Sequence, residues 1–204
     1  MKINKKKFIY LISPNKIDAQ FYKHLNVVLG TGKVSFFQMR FKKYSFNQNI
    51  FIGKKIRLIC KKNNVKFLVN DDPLLSKKLN ADGCHLGQKD TNIIEARRII
   101  GNKIIGITCH NSVRLAKAAI KDKASYLAFG AFFLTKTKKA KHKATTKILE
   151  KVKKLTKTPL VAIGGINSSN YKKLLLNNAN FLAISSYIWN NKKYKPLEAI
   201  KKIK

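Results

Sequence analysis

Two aspartates carry the most specific chemistry in this sequence. Asp71 closes the run "FLVND" and Asp90 closes "CHLGQKD". Carboxylates on adjacent strand tips suit Mg²⁺, which takes one or two of them alongside substrate phosphates and water. A row of the opposite charge comes earlier. Alternation along "FFQMRFKK" places Gln38, Arg40 and Lys42 on one side and Met39 and Phe41 on the other. Arg offers a fork for phosphate oxygens and Lys a point charge. Near the end, "AIGGIN" and "AISS" bring Gly165 and the Ser185–Ser186 pair to corresponding positions. Gly-Gly lets backbone approach an anion, and a following helix start offers free N–H groups. The chemistry these residues could do is the handling of phosphorylated small molecules with a divalent cation.

The acids stand out because the composition nearly lacks them. The chain has 9 Asp and Glu against 44 Lys and Arg, a formal net charge of +35. Four of the nine fall between 69 and 90: Asp71, Asp72, Asp82 and Asp90. Asp72-Pro73 reads as a helix N-cap followed by proline at the first helical position. Asp82-Gly83 reads as a tight turn into a strand. Asn70 and Asp71 are left at a strand tip with only a turn as a structural role. Asp90 reads either as a helix cap or as a second oxygen ligand facing Asp71.

Arg occupies five positions and Lys supplies the other 39 basic residues, dispersed along the chain. That dispersal favours solvated lysine over a polyanion-binding patch. Few aromatics interleave with the basic stretch 135–146, so stacking on bases is poorly supported and no nucleic-acid partner is expected. A positive potential still draws anionic small substrates. Cysteines at 60, 84 and 109 make an odd count with no CxxC pair, which fits a reducing compartment. The dipeptides Cys84-His85 and Cys109-His110 invite a zinc reading. Neighbours on a strand face opposite ways, so each pair offers one ligand, and packing is the better account. The N-terminal apolar run is too short for a signal segment, and no stretch approaches the ~18 apolar residues of a membrane span. A soluble, cytoplasmic protein with no membrane partner is expected.

The elements that must position these residues recur along the chain. Apolar runs at 8–13, 34–39, 66–70, 82–87, 103–108, 125–130, 159–165 and 180–185 read as eight strands, several continuous as in parallel sheets. Helical spacing lies between them, in "NIIEARRII" with Thr91 as cap, in "SVRLAKAAI" capped by Asn111 or Ser112, and in two final segments, "SNYKKLLLNN" and "KPLEAIKKIK". The alternation predicts an α/β fold, a single-domain (βα)8 TIM barrel over residues 1–204. An open doubly wound sheet is disfavoured, because no GxGxxG follows the first strand.

Taken together, "FFQMRFK", "FLVNDDPLLSKKLNADGCHLGQKD", "IIGITCH", "FGAFFLTKTK", "VAIGGIN" and "FLAISS" resemble the thiamine-phosphate synthase family, whose relatives include thiazole tautomerases. The resemblance spans about Tyr10 to Trp189. It implies the Mg²⁺-dependent joining of a hydroxymethylpyrimidine diphosphate to a thiazole phosphate, with or without a carboxylate, and release of pyrophosphate. It places Gln38, Arg40, Lys42, Asn70, Thr108 and Lys138 on the pyrimidine diphosphate, with Arg40, Lys42 and Lys138 catalytic. Asp71 and Asp90 match the metal ligands. Thr135, Thr137, Gly165, Ser185 and Ser186 match the thiazole phosphate site. Departures fall at Phe41 and Lys43, where the family has Glu and Gly, and at Ala131 and Leu134, where it tends to have proline. The tautomerases tend to lose the diphosphate and metal groups, so their retention favours the synthase over an isomerase. A homo-oligomer is compatible with the sequence.

Overall fold

The structure, a computed structural model, describes residues 7–134 and 142–204. Eight parallel strands close into a barrel in sequence order, with the first strand hydrogen-bonded to the last. They are β1 (Ile9–Ile12), β2 (Val34–Met39), β3 (Lys66–Asn70), β4 (Gly83–Leu86), β5 (Ile104–His110), β6 (Tyr126–Gly130), β7 (Leu160–Ile163) and β8 (Phe181–Ile184). The α/β barrel expected from the eight apolar runs is therefore the fold.

Nine helices lie among the described residues: α1 (Phe21–Leu29), α2 (Phe46–Lys62), α3 (Pro73–Lys78), α4 (Ile93–Ile100), α5 (Val113–Lys121), α6 (Thr146–Lys153), α7 (Tyr171–Leu176), α8 (Ser186–Trp189) and α9 (Pro196–Lys201). The two final helical segments of the sequence are α7 and α9, with the short α8 between them. Asp72 caps α3, its carboxylate accepting from Leu75 N–H at 2.8 Å. Thr91 does not cap α4; Asn92 does, accepting from Glu95 N–H, because the helix begins one residue later than the pattern suggested. Ser112 caps α5. Asp82 Oδ2 accepts from Phe67 N–H and Oδ1 from Lys66 Nζ, tying the β3–β4 connection together. The basic stretch at 135–146 ends inside α6, since Thr146 opens that helix.

The core has two parts. Between strands and helices lies a large apolar layer, with Ile9, Leu11, Phe37, Phe67, Cys84, Leu127 and Leu160 pointing outward from the barrel wall into it. Inside the barrel lies a smaller cluster built on Tyr10, Leu68, Tyr126, Ala128, Val161 and Ala183. Burying each large apolar side chain contributes roughly 1.5–3 kcal/mol, so the outer layer carries most of the stability. The inner cluster is where polar atoms enter, and it supports the mouth of the barrel.

Candidate active site

The strand ends bring Gln38, Arg40, Lys42, Asn70, Asp71, Asp90, Thr108, Gly165, Ser185 and Ser186 to one rim. Gln38 is the inward-facing residue near the end of β2 and is 2% exposed, whereas Met39 and Phe41 pack outward as the alternation required. Arg40 and Lys42 follow beyond the strand. The Arg40 backbone N–H donates to Ser13 Oγ at 2.9 Å. Ser13 N–H donates to the Gln38 carbonyl, and Ser185 Oγ donates to the Ser13 carbonyl at 3.0 Å. Ser13 thus ties the ends of β1, β2 and β8 together.

Asp71 leaves β3 with φ of 65°, in the left-handed region that Asp tolerates better than most residues. Its N–H donates to the His85 carbonyl at 2.7 Å, which holds that conformation in place. Its carboxylate meets Lys42 Nζ at 2.7 Å. Burial alone would raise its pKa. The hydrogen bonds to Lys42 and Asp90 and the Lys42 charge outweigh burial and hold it below the ordinary carboxylate range. Asp90 reaches the same place from the β4 loop, where Gly87 N–H donates to its Oδ2 at 2.7 Å. Asp90 is pushed above the ordinary range, by burial first and then by the hydrogen bond with Asp71. Two carboxyl groups that bond to each other, one of them reluctant to ionise, form a donor set that a divalent cation would relieve. No group of three or more Cys, His, Asp or Glu among the described residues could hold a metal, so a cation here would need substrate oxygens and water to complete its shell. The residues present fit Mg²⁺ on those terms.

Asn70, the last residue of β3, pairs in register with His85 on β4. Thr108 on β5 sets its hydroxyl 2.9 Å from His85 Nε2. Two clefts open beside these groups. A cleft of about 490 Å³ is lined by Lys16, Arg40, Lys42 and Lys43 together with Pro14, Asn15 and Asn190. One of about 450 Å³ is lined by Gly165, Ile166, Asn167, Ser185 and Ser186, and by Asn15 and Asn190. The two shared asparagines make the clefts neighbours. Gly164 and Gly165 have φ of 103° and 65°. A Cβ on Gly164 would meet Ala131 at 2.5 Å, and one on Gly165 would meet the Leu134 carbonyl oxygen at 2.4 Å. Only glycine lets the β6 and β7 loops pass this closely, with Phe132 N–H and Phe133 N–H donating to the Ile163 and Gly164 carbonyls. Ala131 N–H donates to the His142 carbonyl at 2.9 Å, a bond that proline could not make.

Thr135, Thr137 and Lys138 lie outside the described residues. The three cysteines are buried, with the Cys84 and Cys109 thiols pushed up to about 12 by burial, so none is poised as a nucleophile. Sequence reasoning missed Tyr10, Ser13, Asn15, Tyr126 and Asn190. A lone tyrosine in an otherwise apolar strand, as in "FIYLIS" and "SYLAFG", is the signal that could have exposed two of them.

The model of the family described as thiamine monophosphate synthase matches residues 9–188. The chain belongs to this family. It has the family's transferase activity, the synthesis of thiamine phosphate. Among curated family members it is similar to the thiamine-phosphate synthase of Pelagibacter ubique, at 67% identity over 207 aligned positions covering all of both chains. The thiamine-phosphate synthase of Erythrobacter litoralis is 40% identical over 89% of this chain and 88% of its own. Among solved structures, the thiamine phosphate pyrophosphorylase of Pyrococcus furiosus superposes with a TM-score of 0.86 at 28% identity, over 98% of this chain and 94% of that one.

Proposed function

We propose that the chain joins 4-amino-2-methyl-5-hydroxymethylpyrimidine diphosphate to a thiazole phosphate, releasing pyrophosphate by a dissociative route. One observation carries the reading: the Asp71–Asp90 pair and the Arg40–Lys42 row share a rim with a neighbouring cleft lined by Gly165, Ser185 and Ser186. Two anionic groups are thereby provided for side by side. Gln38 and Asn70 would hold the pyrimidine. Arg40, Lys42 and Lys138 would take the diphosphate oxygens, with Lys42 exchanging Asp71 for the leaving group. Thr108 would donate its hydroxyl to the same anion. Mg²⁺ held by Asp71 and Asp90 would supply further neutralisation of the leaving diphosphate.

The chain's own task is to stabilise charge that develops on the diphosphate as the C–O bond breaks. The thiazole nitrogen then attacks the pyrimidine methylene carbon. Gly165, Ser185 and Ser186, with Thr135 and Thr137, would anchor the thiazole phosphate so that the nitrogen is already aimed. No side-chain nucleophile is needed, in keeping with three buried cysteines. The whole chain, 1–204, would act as one catalytic barrel on small phosphorylated substrates in the cytoplasm. No helix among the described residues is long and apolar enough to cross a membrane.

The test is direct. Purified protein, both substrates and Mg²⁺ are mixed, and thiamine phosphate and pyrophosphate are measured. Stoichiometric appearance of both is expected. No product where a control synthase turns over would overturn the reading, and pyrimidine-independent isomerisation of the thiazole would favour the tautomerase instead.

A further inference from the structure

A chain of hydrogen bonds crosses the barrel interior beneath the site. Gln38 Nε2 donates to Tyr10 Oη at 2.9 Å. Tyr10 Oη lies 2.7 Å from Tyr126 Oη, Tyr126 Oη 2.9 Å from His85 Nδ1, and His85 Nε2 2.9 Å from Thr108 Oγ1. The chain links β2, β1, β6, β4 and β5, and its ends are two residues that face the substrate in the proposed function. Gly106 makes the crossing possible. A Cβ there would fall 1.8 Å from the Tyr126 ring, so only glycine admits the tyrosine at this level. Tyr10 and Tyr126 are 2% and 3% exposed. Burial raises both phenols above their ordinary range, so each keeps its one proton.

The direction of every bond follows from one end. An amide NH₂ can only donate, so Tyr10 accepts from Gln38 and must give its single proton to Tyr126. Tyr126, already accepting, must give its own to His85 Nδ1. A neutral imidazole that accepts at Nδ1 carries its proton on Nε2 and donates it to Thr108. The Thr108 hydroxyl proton is then left to point at a ligand. At the other end, Gln38 Oε1 takes no hydrogen bond from a described residue. Reversing the chain would require the Gln38 amide to turn over and every proton to change sides.

We propose that Tyr10, Tyr126 and His85 are positioning residues that lock Gln38 with its carbonyl oxygen towards the substrate and Thr108 with its hydroxyl proton towards it. The consequence is specificity. A fixed carbonyl acceptor welcomes a ring bearing an N–H donor, such as an aminopyrimidine, and rejects the analogue with an oxo group at that point. This part rests on the proposed function, whereas the direction of the chain does not.

Two measurements separate them. The first is the long-range ¹H–¹⁵N spectrum of the substrate-free wild type, with His85 assigned by its loss in His85→Gln. The Nε2–H tautomer is expected in the wild type and a mixture in both Tyr10→Phe and Tyr126→Phe, since either change cuts Gln38 off from His85. A wild-type Nδ1–H tautomer would overturn the chain's direction whatever the enzyme's activity. The second is kcat/KM for the aminopyrimidine diphosphate relative to its oxo analogue. Both Tyr→Phe variants should lose this preference by about tenfold, because the Gln38 amide is unpaired in Tyr10→Phe and faces a tyrosine free to donate or accept in Tyr126→Phe. An unchanged ratio in both folded variants would refute the lock. Failure of the wild type to make product would refute the proposed function and leave the tautomer result standing. Should the phenylalanine variants fail to fold, the wild-type tautomer still decides the chain's direction, without which there is no lock.

Discussion

In the proposed function the two sides of the barrel mouth solve the same problem, holding an anion, by opposite means. The β2–β4 side presents charged side chains: Arg40 and Lys42, with Asp71 and Asp90 beside them. The β7–β8 side uses uncharged groups, with Gly164 and Gly165 clearing space and Ser185 and Ser186 lining the cleft. The difference follows the reaction proposed. Charge grows on the leaving diphosphate, so groups that respond to charge belong there. The thiazole phosphate keeps its charge throughout, so it needs only fixed geometry.

The sharpest way to break this contrast is Asp71→Asn. It keeps the shape and removes the ligand charge, and it should lower kcat about 10²–10³-fold, with thiazole phosphate KM nearly unchanged. An equal loss from a neutral-side variant would erase the distinction. Gly165→Ala probes that side. Its Cβ would collide with the Leu134 carbonyl at a φ of 65°, costing about 1–3 kcal/mol in thermal unfolding. It should raise the thiazole phosphate KM while sparing the pyrimidine KM.

His85 tests how the inner polar chain depends on pH. Burial, its main cause, lowers its pKa to about 4, with Arg40 adding to the effect and Asp71 opposing it. A folded pKa below the unfolded one means the unfolded chain binds the extra proton first. The stability contribution is therefore full above the unfolded value of about 6.5 and is lost as pH falls through about 4. The loss is at most about 3 kcal/mol. Melting curves of wild type and His85→Gln should converge as pH drops across that window; parallel curves would sink the assignment. The smallest effect is expected from Asp72→Ala, which removes the α3 cap for about 1 kcal/mol of stability and leaves kcat unmoved. A large loss of activity there would mean that Asp72, not Asp71, belongs to the charged side.

Legibility in the sequence followed the range of the forces involved. Asp72-Pro73 announced a cap because capping is settled within four residues, and Asp72 does accept from Leu75 N–H. The strands were readable because burial on both faces makes continuous apolar runs. The α4 cap was displaced by one residue, from Thr91 to Asn92, as helix ends commonly are. Helices α1, α2 and α6 went unread; Lys and Asn interrupt the apolar spacing of the first two, and α6 overlaps the end of the basic stretch. The Tyr10–Tyr126 contact joins residues 116 positions apart, and no local pattern predicts it. Only the closure of the barrel does. The nearness of Asp71 to Asp90 was inferable because consecutive parallel strands are neighbours in space.

Ser13 has a bearing on when the enzyme becomes competent. Its carbonyl is held by Ser185, 172 residues further along, and its hydroxyl holds the Arg40 backbone. The charged side of the mouth is thus fastened by a contact that exists only once the last strand has docked. A chain emerging from the ribosome with β1 to β7 complete would carry every charged site residue and still lack a fixed mouth. Contacts this distant in sequence form late and slowly. Activity should therefore switch on with the final strand rather than accumulate as the barrel grows.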